Sequence, residues 1–174
     1  MNIRHQLTTN RSKETWKIVQ KYIGTSQEKF DELLDIFLGD DHKLNVSAGQ
    51  CVSYCADKYP FLVVPHYERL LTNLERPKLH NSVKRNTIRI LQNVDLPEDL
   101  LGLAAELCFS FLNDPNEAIA TRVFSMSVCY NICVKEPELV PELIEILEYH
   151  LPHGSTGFKN RGNKILKKLR QIKA

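Results

Sequence analysis

Long apolar runs are missing from this sequence. No stretch approaches the ~18 consecutive apolar residues that a membrane-spanning helix needs, and residues 1–11 are polar, without the apolar core of an export signal. We therefore expect a cytoplasmic protein that makes no membrane contact.

The five cysteines are an odd number, and Cys108, Cys129 and Cys133 lie in apolar helical segments. Because free cysteine behaves as a small apolar residue, we predict reduced, buried thiols.

Signatures of catalysis and of cofactor binding are also absent from the sequence. No glycine-rich phosphate loop follows a strand pattern, and no Ser-His-Asp order can be selected. Cys51 and Cys55, like Cys129 and Cys133, stand four residues apart, so each pair could offer two thiolates to zinc. The two pairs fall two repeats apart, roughly 20 Å, which is too far for one shared ion. We predict no enzymatic activity, no cofactor and no metal site.

Apolar residues recur at three- and four-residue spacing along most of the chain, which indicates an all-α fold. Residues 1–10 lack this spacing, and we expect them to form a loose arm. At 174 residues the chain fits one domain. Helices are predicted over residues 12–23, 25–39, 40–59, 61–74, 82–94, 97–112, 119–134, 137–147 and 154–174.

Two series of prolines set a period for these helices. Prolines in the turns inside helical pairs are 37 and 40 residues apart, and prolines in the turns between pairs are 38 and 37 apart. The first series is Pro60, Pro97 and Pro137, and the second is Pro77, Pro115 and Pro152. Helical pairs of ~40–47 residues are typical of HEAT and armadillo repeats, which stack to share one core. We therefore predict an α-α superhelix of about four pairs, over residues 12–39, 40–77, 78–114 and 115–152, with a terminal single helix over 155–174.

A resemblance to known repeats is clearest over residues 112–170. The segment from Asp114 to Arg122, DPNEAIATR, resembles the turn between HEAT repeats, and the resemblance implies that this aspartate and arginine have a structural role in a ladder between neighbouring units. The runs NEAIATRVFSMSVCYNI, PELVPELIEIL and STGFKNRGNKILKKL are similar to small bacterial HEAT-like proteins. That group is sometimes labelled adenylosuccinate lyase. The label is not adopted, because this sequence lacks the Gly-, Ser- and Met-rich catalytic loop of those enzymes.

Charge is distributed unevenly along the chain. Residues 149–174 carry seven basic side chains and no acidic one, whereas residues 1–148 have a net charge of −5. Basic residues cluster at 76–89 and at 159–173, and such clusters can track a phosphate backbone. The turn Gly154-Ser155-Thr156-Gly157 precedes the second cluster, and its backbone amides could meet an anion, although an ordinary helix cap explains it as well. The candidate anion or nucleic-acid contacts are Lys84, Arg85, Arg89, Ser155, Thr156, Lys159, Arg161, Lys164 and Lys168.

Three functional hypotheses follow. The first is a non-enzymatic module that binds a protein or peptide in the concave face of the stacked pairs. The second is a nucleic-acid-binding protein that uses the two basic clusters, and the third is an enzyme acting on an anionic metabolite near Gly154. The candidate groove residues for the first hypothesis come from the second helices of the pairs: His66, Arg69, Asn73, Glu142, Glu145 and Tyr149.

Overall fold

The computed structural model describes residues 1–172, and the chain divides into two compact units, residues 1–90 and residues 91–174. Over the described residues all regular structure is helical, and short 3₁₀ turns stand at several helix ends. The predicted all-α fold class is confirmed. The helices are α1 Ile3–Thr9, α2 Lys13–Ile23, α3 Gln27–Leu38, α4 His42–Lys58, α5 Tyr67–Leu74, α6 Asn81–Leu91, α7 Glu98–Asn113, α8 Ile119–Lys135, α9 Val140–His150 and α10 Thr156–Leu169.

The expectation of a loose arm at the start of the chain is wrong. Residues Ile3–Thr9 form α1, and Asn2 caps this helix by accepting a hydrogen bond from the amide of His5. Ile3 and Leu7 are completely buried, and α1 packs against α2, α3 and α4. A seven-residue helix is marginal by itself, so its stability comes from this packing.

Polar side chains define where the next helices begin. Ser12 caps α2, and Asp41 caps α4 by accepting from the amides of Lys43 and Leu44, as its position before an apolar stripe predicts. The cap of α3 is Ser26, one residue after Thr25, where the helix over residues 25–39 was predicted to begin. Both short hydroxyl side chains suit a cap, and the sequence pattern alone does not choose between them.

Prolines delay the start of two of the predicted helices. The segment predicted as one helix over 61–74 begins with two 3₁₀ turns, Pro60–Leu62 and Val64–His66, before α5 starts at Tyr67. Proline lacks an amide hydrogen and disfavours helical geometry in the residue before it, which delays the regular helix. The same arrangement recurs at the 3₁₀ turn Pro137–Leu139, which precedes α9.

Contacts between helices recur at separations of 32 to 39 residues in sequence. In the first unit, Arg69 pairs with Asp35 at 2.7 Å and Arg89 pairs with Asp57 at 2.7 Å, 34 and 32 residues apart. In the second unit, Asn131 Nδ2 donates to the carbonyl of Gln92 at 2.9 Å, 39 residues apart. We call these contacts the repeat ladder. Their separations approach the 37–40 residue spacing of the prolines, as expected where one structural unit recurs along the chain.

The second unit has its core between α7, α8, α9 and α10. Met126, Leu143, Leu147 and Phe158 are fully buried there, and each large apolar side chain contributes about 1.5–3 kcal/mol to folding.

All five cysteines of the chain are free and buried, as predicted. Within residues 1–172, no helix is both long and apolar enough to cross a membrane. The predicted repeat boundaries and the single-domain organisation stay predictions.

Candidate functional site

A pocket of about 610 Å³ opens between α8, α10 and the segment after α6. Of the described residues that line it, four are cationic and none is acidic, and the others are mainly neutral polar side chains. We call this site the basic pocket. Its lining residues are Gln92, Asn93, Ser127, Tyr130, Asn131, Arg161, Lys164, Ile165, Lys167, Lys168 and Gln171.

The position of α10 explains why its cations line this pocket. One face of the helix is buried through Phe158, Ile165, Leu166 and Leu169, so the lysines between them remain exposed. Gly162 lets α10 approach the preceding 3₁₀ turn closely, because a Cβ at this position would lie 2.5 Å from Leu151 Cδ2.

Arg161 is held in the pocket wall by neutral partners. Its Nη1 donates to Ser127 Oγ at 2.6 Å and, more weakly, to Gln92 Oε1 at 3.4 Å. Neither partner carries a negative charge, so the guanidinium is positioned without being neutralised. A fixed, half-buried guanidinium is suited to bind a carboxylate or a phosphate through two parallel hydrogen bonds.

The lysines extend the positive charge along α10. Lys164, Lys167 and Lys168 are exposed. The ammonium group of Lys168 lies 5.3 Å from the centre of the Tyr130 ring, and the electron-rich face of an aromatic ring attracts a cation. Beyond the pocket, Arg170 pairs with Glu148 at 2.9 Å. Four cations of α10 therefore line the basic pocket: Arg161, Lys164, Lys167 and Lys168. Lys173, part of the predicted cluster, lies outside the described residues.

The turn before α10 is an ordinary helix cap. Ser155 Oγ accepts a hydrogen bond from the amide of Phe158 at 3.3 Å, while Thr156 and Lys159 are exposed to solvent. Anion binding at this turn remains a prediction.

Two arginines of the first predicted basic cluster are engaged in internal ion pairs. Arg76 pairs with Asp40 and donates to the carbonyl of Leu38 at 3.0 Å, and Arg89 belongs to the repeat ladder. Lys84 and Arg85 are half-buried. This cluster belongs to the first unit, whereas Arg161, Lys164 and Lys168 meet in the second unit.

The predicted groove residues of the first unit also take part in internal contacts. His66 Nε2 lies 2.7 Å from Asp31 Oδ1, and Arg69 pairs with Asp35. The His66 contact helps to lower the pKa of Asp31, after the larger effect of a hydrogen bond from Gln27. Asn73 is 9% exposed.

The groove residues of the second unit lie on α9 and are open to solvent. Tyr149 is 72% exposed, with its ring edge-on to His150 at 4.9 Å, and Glu142 and Glu145 are also exposed. None of them lines the basic pocket. The groove assignment, in both units, stays a prediction.

Asp114 and Arg122 have structural contacts near the start of α8. Arg122 Nε donates to the carbonyl of Leu112 at 3.0 Å, and its guanidinium stacks on the Phe158 ring at 4.8 Å. Burial lowers the pKa of Arg122, and the nearby charge of Asp114 opposes this shift. Asp114 Oδ1 accepts from the amide of Asn116 at 2.8 Å. Arg122 thus connects the end of α7 with α8 and α10.

Two other kinds of candidate chemistry find no site among the described residues. Over residues 1–172, no group of three or more His, Cys, Asp or Glu side chains has the geometry to hold a metal ion. Burial raises the pKa of Cys55, Cys108 and Cys133 to about 12, so these thiols carry very little of the reactive thiolate at neutral pH.

The neutral walls of the basic pocket were missed by sequence reasoning. Ser127, Tyr130 and Asn131 line the pocket from α8, and Gln92 and Asn93 line it from the segment after α6. A signal for the α8 residues does exist, since they are polar residues on one face of this helix. The contribution of Gln92 depends on a contact across 39 positions, which a local pattern does not show.

Helices joined by contacts that recur every 32 to 39 residues are characteristic of a helical repeat protein. A family model described as HEAT repeat domain matches residues 3–169, and the chain belongs to this family. The family resemblance noted in the sequence is therefore confirmed. HEAT repeat domains are helical scaffolds that commonly mediate protein interactions and are generally non-catalytic. Searches against curated proteins and against solved structures found no match.

Proposed function

We propose that this protein is a non-enzymatic binding module that holds an acidic segment of a partner protein in the basic pocket. The observation that carries the proposal is the pocket itself, which four cations line without any acidic residue among the described lining residues. Carboxylates of aspartate and glutamate complement both the fixed guanidinium of Arg161 and the mobile ammonium groups of the lysines.

The charges in the pocket predict weak, salt-sensitive binding. One exposed ion pair contributes about 0.2–1 kcal/mol, so four pairs supply on the order of 1–4 kcal/mol. A dissociation constant of about 1 mM corresponds to roughly 4 kcal/mol. The charges therefore attract and orient an acidic segment, and tight binding requires further contacts.

A nucleic acid fits the distribution of cations less well than an acidic protein segment does. A protein that follows duplex DNA neutralises about 6–10 phosphates along an extended track. In the first unit, however, Arg69, Arg76 and Arg89 are paired with aspartates. The cations that line the basic pocket lie on one helix, over a rise of ~10 Å between Arg161 and Lys168.

Charge reversal inside the pocket tests the proposal. Fluorescence anisotropy would follow a labelled peptide of eight alternating glutamates and aspartates, with its glutamine and asparagine counterpart as the uncharged probe. We expect Lys164→Glu combined with Lys168→Glu to abolish binding of the acidic peptide. The matched control is Lys13→Glu with Lys17→Glu on α2, where both lysines are exposed and the change in net charge is the same.

Two results would count against the proposed function. Equal loss of binding in both double variants would mean that net charge alone attracts the peptide. Tighter binding of a twelve-nucleotide single-stranded RNA or of a DNA duplex, lost in the pocket variant and steeply dependent on salt, would favour the nucleic-acid hypothesis instead.

A further inference from the structure

We propose that the bound segment has an apolar side chain on each side of its acidic centre, and that two apolar clefts flanking the basic pocket receive these side chains. This inference rests on the proposed function. The site would select partner segments by the order of apolar and acidic residues in their sequence.

The first cleft adjoins the basic pocket at the start of α8. It has a volume of about 530 Å³ and shares Arg161 and Lys164 with the basic pocket, so the two are continuous. Its remaining walls are largely apolar and come from the first two turns of α8 and from α10. We call it the N-terminal cleft, and these walls include Ile119, Ala120, Val123, Phe124 and Phe158.

The second cleft adjoins the basic pocket at the end of α8. It has a volume of about 440 Å³ and shares Gln92, Asn93 and Asn131 with the basic pocket. Lys135 and Asp95 form an ion pair at its rim, so their two charges neutralise each other. We call it the C-terminal cleft, and its apolar walls are Leu91, Val94, Leu96, Leu101, Val128, Ile132 and Val134.

One face of α8 therefore passes through all three sites in order. Ile119 at its start is 58% exposed and Val134 near its end is 54% exposed, two of the few large apolar side chains that the structure leaves open to solvent. Between them the same face presents Ser127, Tyr130 and Asn131 to the basic pocket. Along α8 the surface is therefore apolar at the start, basic in the middle and apolar again at the end.

The length of this surface sets the length of the segment. Fifteen residues of helix separate Ile119 from Val134, which is about 22 Å at the rise of an α-helix. An extended peptide covers about 3.3 Å per residue and reaches this distance with roughly seven steps. The complementary segment thus has about eight residues, with large apolar side chains at its ends and carboxylates in the middle.

Three peptide probes separate the pattern from the charge. The first has leucine at both ends of six alternating glutamates and aspartates. The second has alanine at both ends, and the third has the two leucines moved to the centre. We expect the first peptide to bind at least tenfold more tightly than the other two, because burial of apolar surface adds to the charge contacts.

Variants of the protein locate the apolar contacts. Ile119→Ser and Val134→Ser should each lower the affinity for the leucine-ended peptide about three- to tenfold. The affinity for the alanine-ended peptide should not change. Ile18→Ser on α2 is the matched control, since Ile18 is 54% exposed and should change neither affinity. All three positions are exposed, so folding should persist, and circular dichroism would verify this.

The possible results distinguish this inference from the proposed function. If the leucine- and alanine-ended peptides bind equally and both depend on Lys164 and Lys168, the clefts have no role and the proposed function stands. If the central-leucine peptide binds as tightly as the leucine-ended one, the order of the three sites is wrong. If no acidic peptide binds, or if the pocket variant binds like the wild type, the proposed function is overturned and the inference with it.

Discussion

A close contact at Gly49 allows a stability prediction with its own matched control. Gly49 lies inside α4, and a Cβ at this position would lie 2.5 Å from Asn86 Nδ2 and 2.9 Å from Phe37 Cε2. Phe37 is completely buried and Asn86 is 1% exposed, so neither side chain can move away freely. Replacing glycine by alanine in a helix normally stabilises it by about 1 kcal/mol, whereas overpacking a core costs about 1–3 kcal/mol. We expect Gly49→Ala to destabilise the protein by roughly 1 kcal/mol.

Gly102→Ala is the control, because Gly102 lies inside α7, is exposed and would have no atom within 4 Å of its new methyl group. This variant should gain about 0.5–1 kcal/mol from helix propensity alone. Urea unfolding followed by circular dichroism at 222 nm measures both changes, which should have opposite signs. If Gly49→Ala stabilised the protein as much as Gly102→Ala, the close packing of α4 against α3 and α6 would be contradicted.

Three further predictions follow from the packing. Leu7→Ala should destabilise the protein by about 2–4 kcal/mol in urea unfolding, because Leu7 is fully buried; no change would mean that α1 is not part of the fold. The five buried cysteines should not react with the thiol reagent DTNB until the chain unfolds, and a fast-reacting thiol in the native protein would refute their burial. Burial, with the nearby Arg122, lowers the pKa of His150, so the unfolded chain binds a proton that the folded chain does not, and stability should fall as the pH drops below about 6.5. His150→Gln should reduce this pH dependence, which urea unfolding at a series of pH values would measure.

Much of the fold was predictable because the helices from α2 onward have a local apolar pattern. The stripe of α3, from Phe30 to Leu38, and the stripe of α8 are long enough to identify their helices and faces. α1 was missed because it offers only Ile3 and Leu7 in a polar setting, and its stability depends on contacts with three other helices. Pattern alone also did not show that Pro65 delays α5, because the apolar spacing continues through the 3₁₀ turns.

The candidate site was only partly predictable. The run of cations in α10 identified Arg161, Lys164 and Lys168, since a buried apolar stripe predicts which face of a helix remains exposed. The partners of the cations were not predictable in the same way. Whether an arginine is neutralised depends on a residue more than thirty positions away, as with Arg89 and Asp57. The neutral partners of Arg161 likewise come from two other parts of the chain.

Peptide binding in the basic pocket is tested most directly by locating a bound acidic peptide on the protein by nuclear magnetic resonance. Backbone amide shifts of the ¹⁵N-labelled chain would be followed while the leucine-ended acidic peptide is added. We predict that the changes concentrate along α8 and α10, at residues such as Ser127, Asn131 and Lys164. Changes concentrated instead at Arg69 and Tyr149, which belong to the predicted groove, would contradict the assignment of binding to the basic pocket.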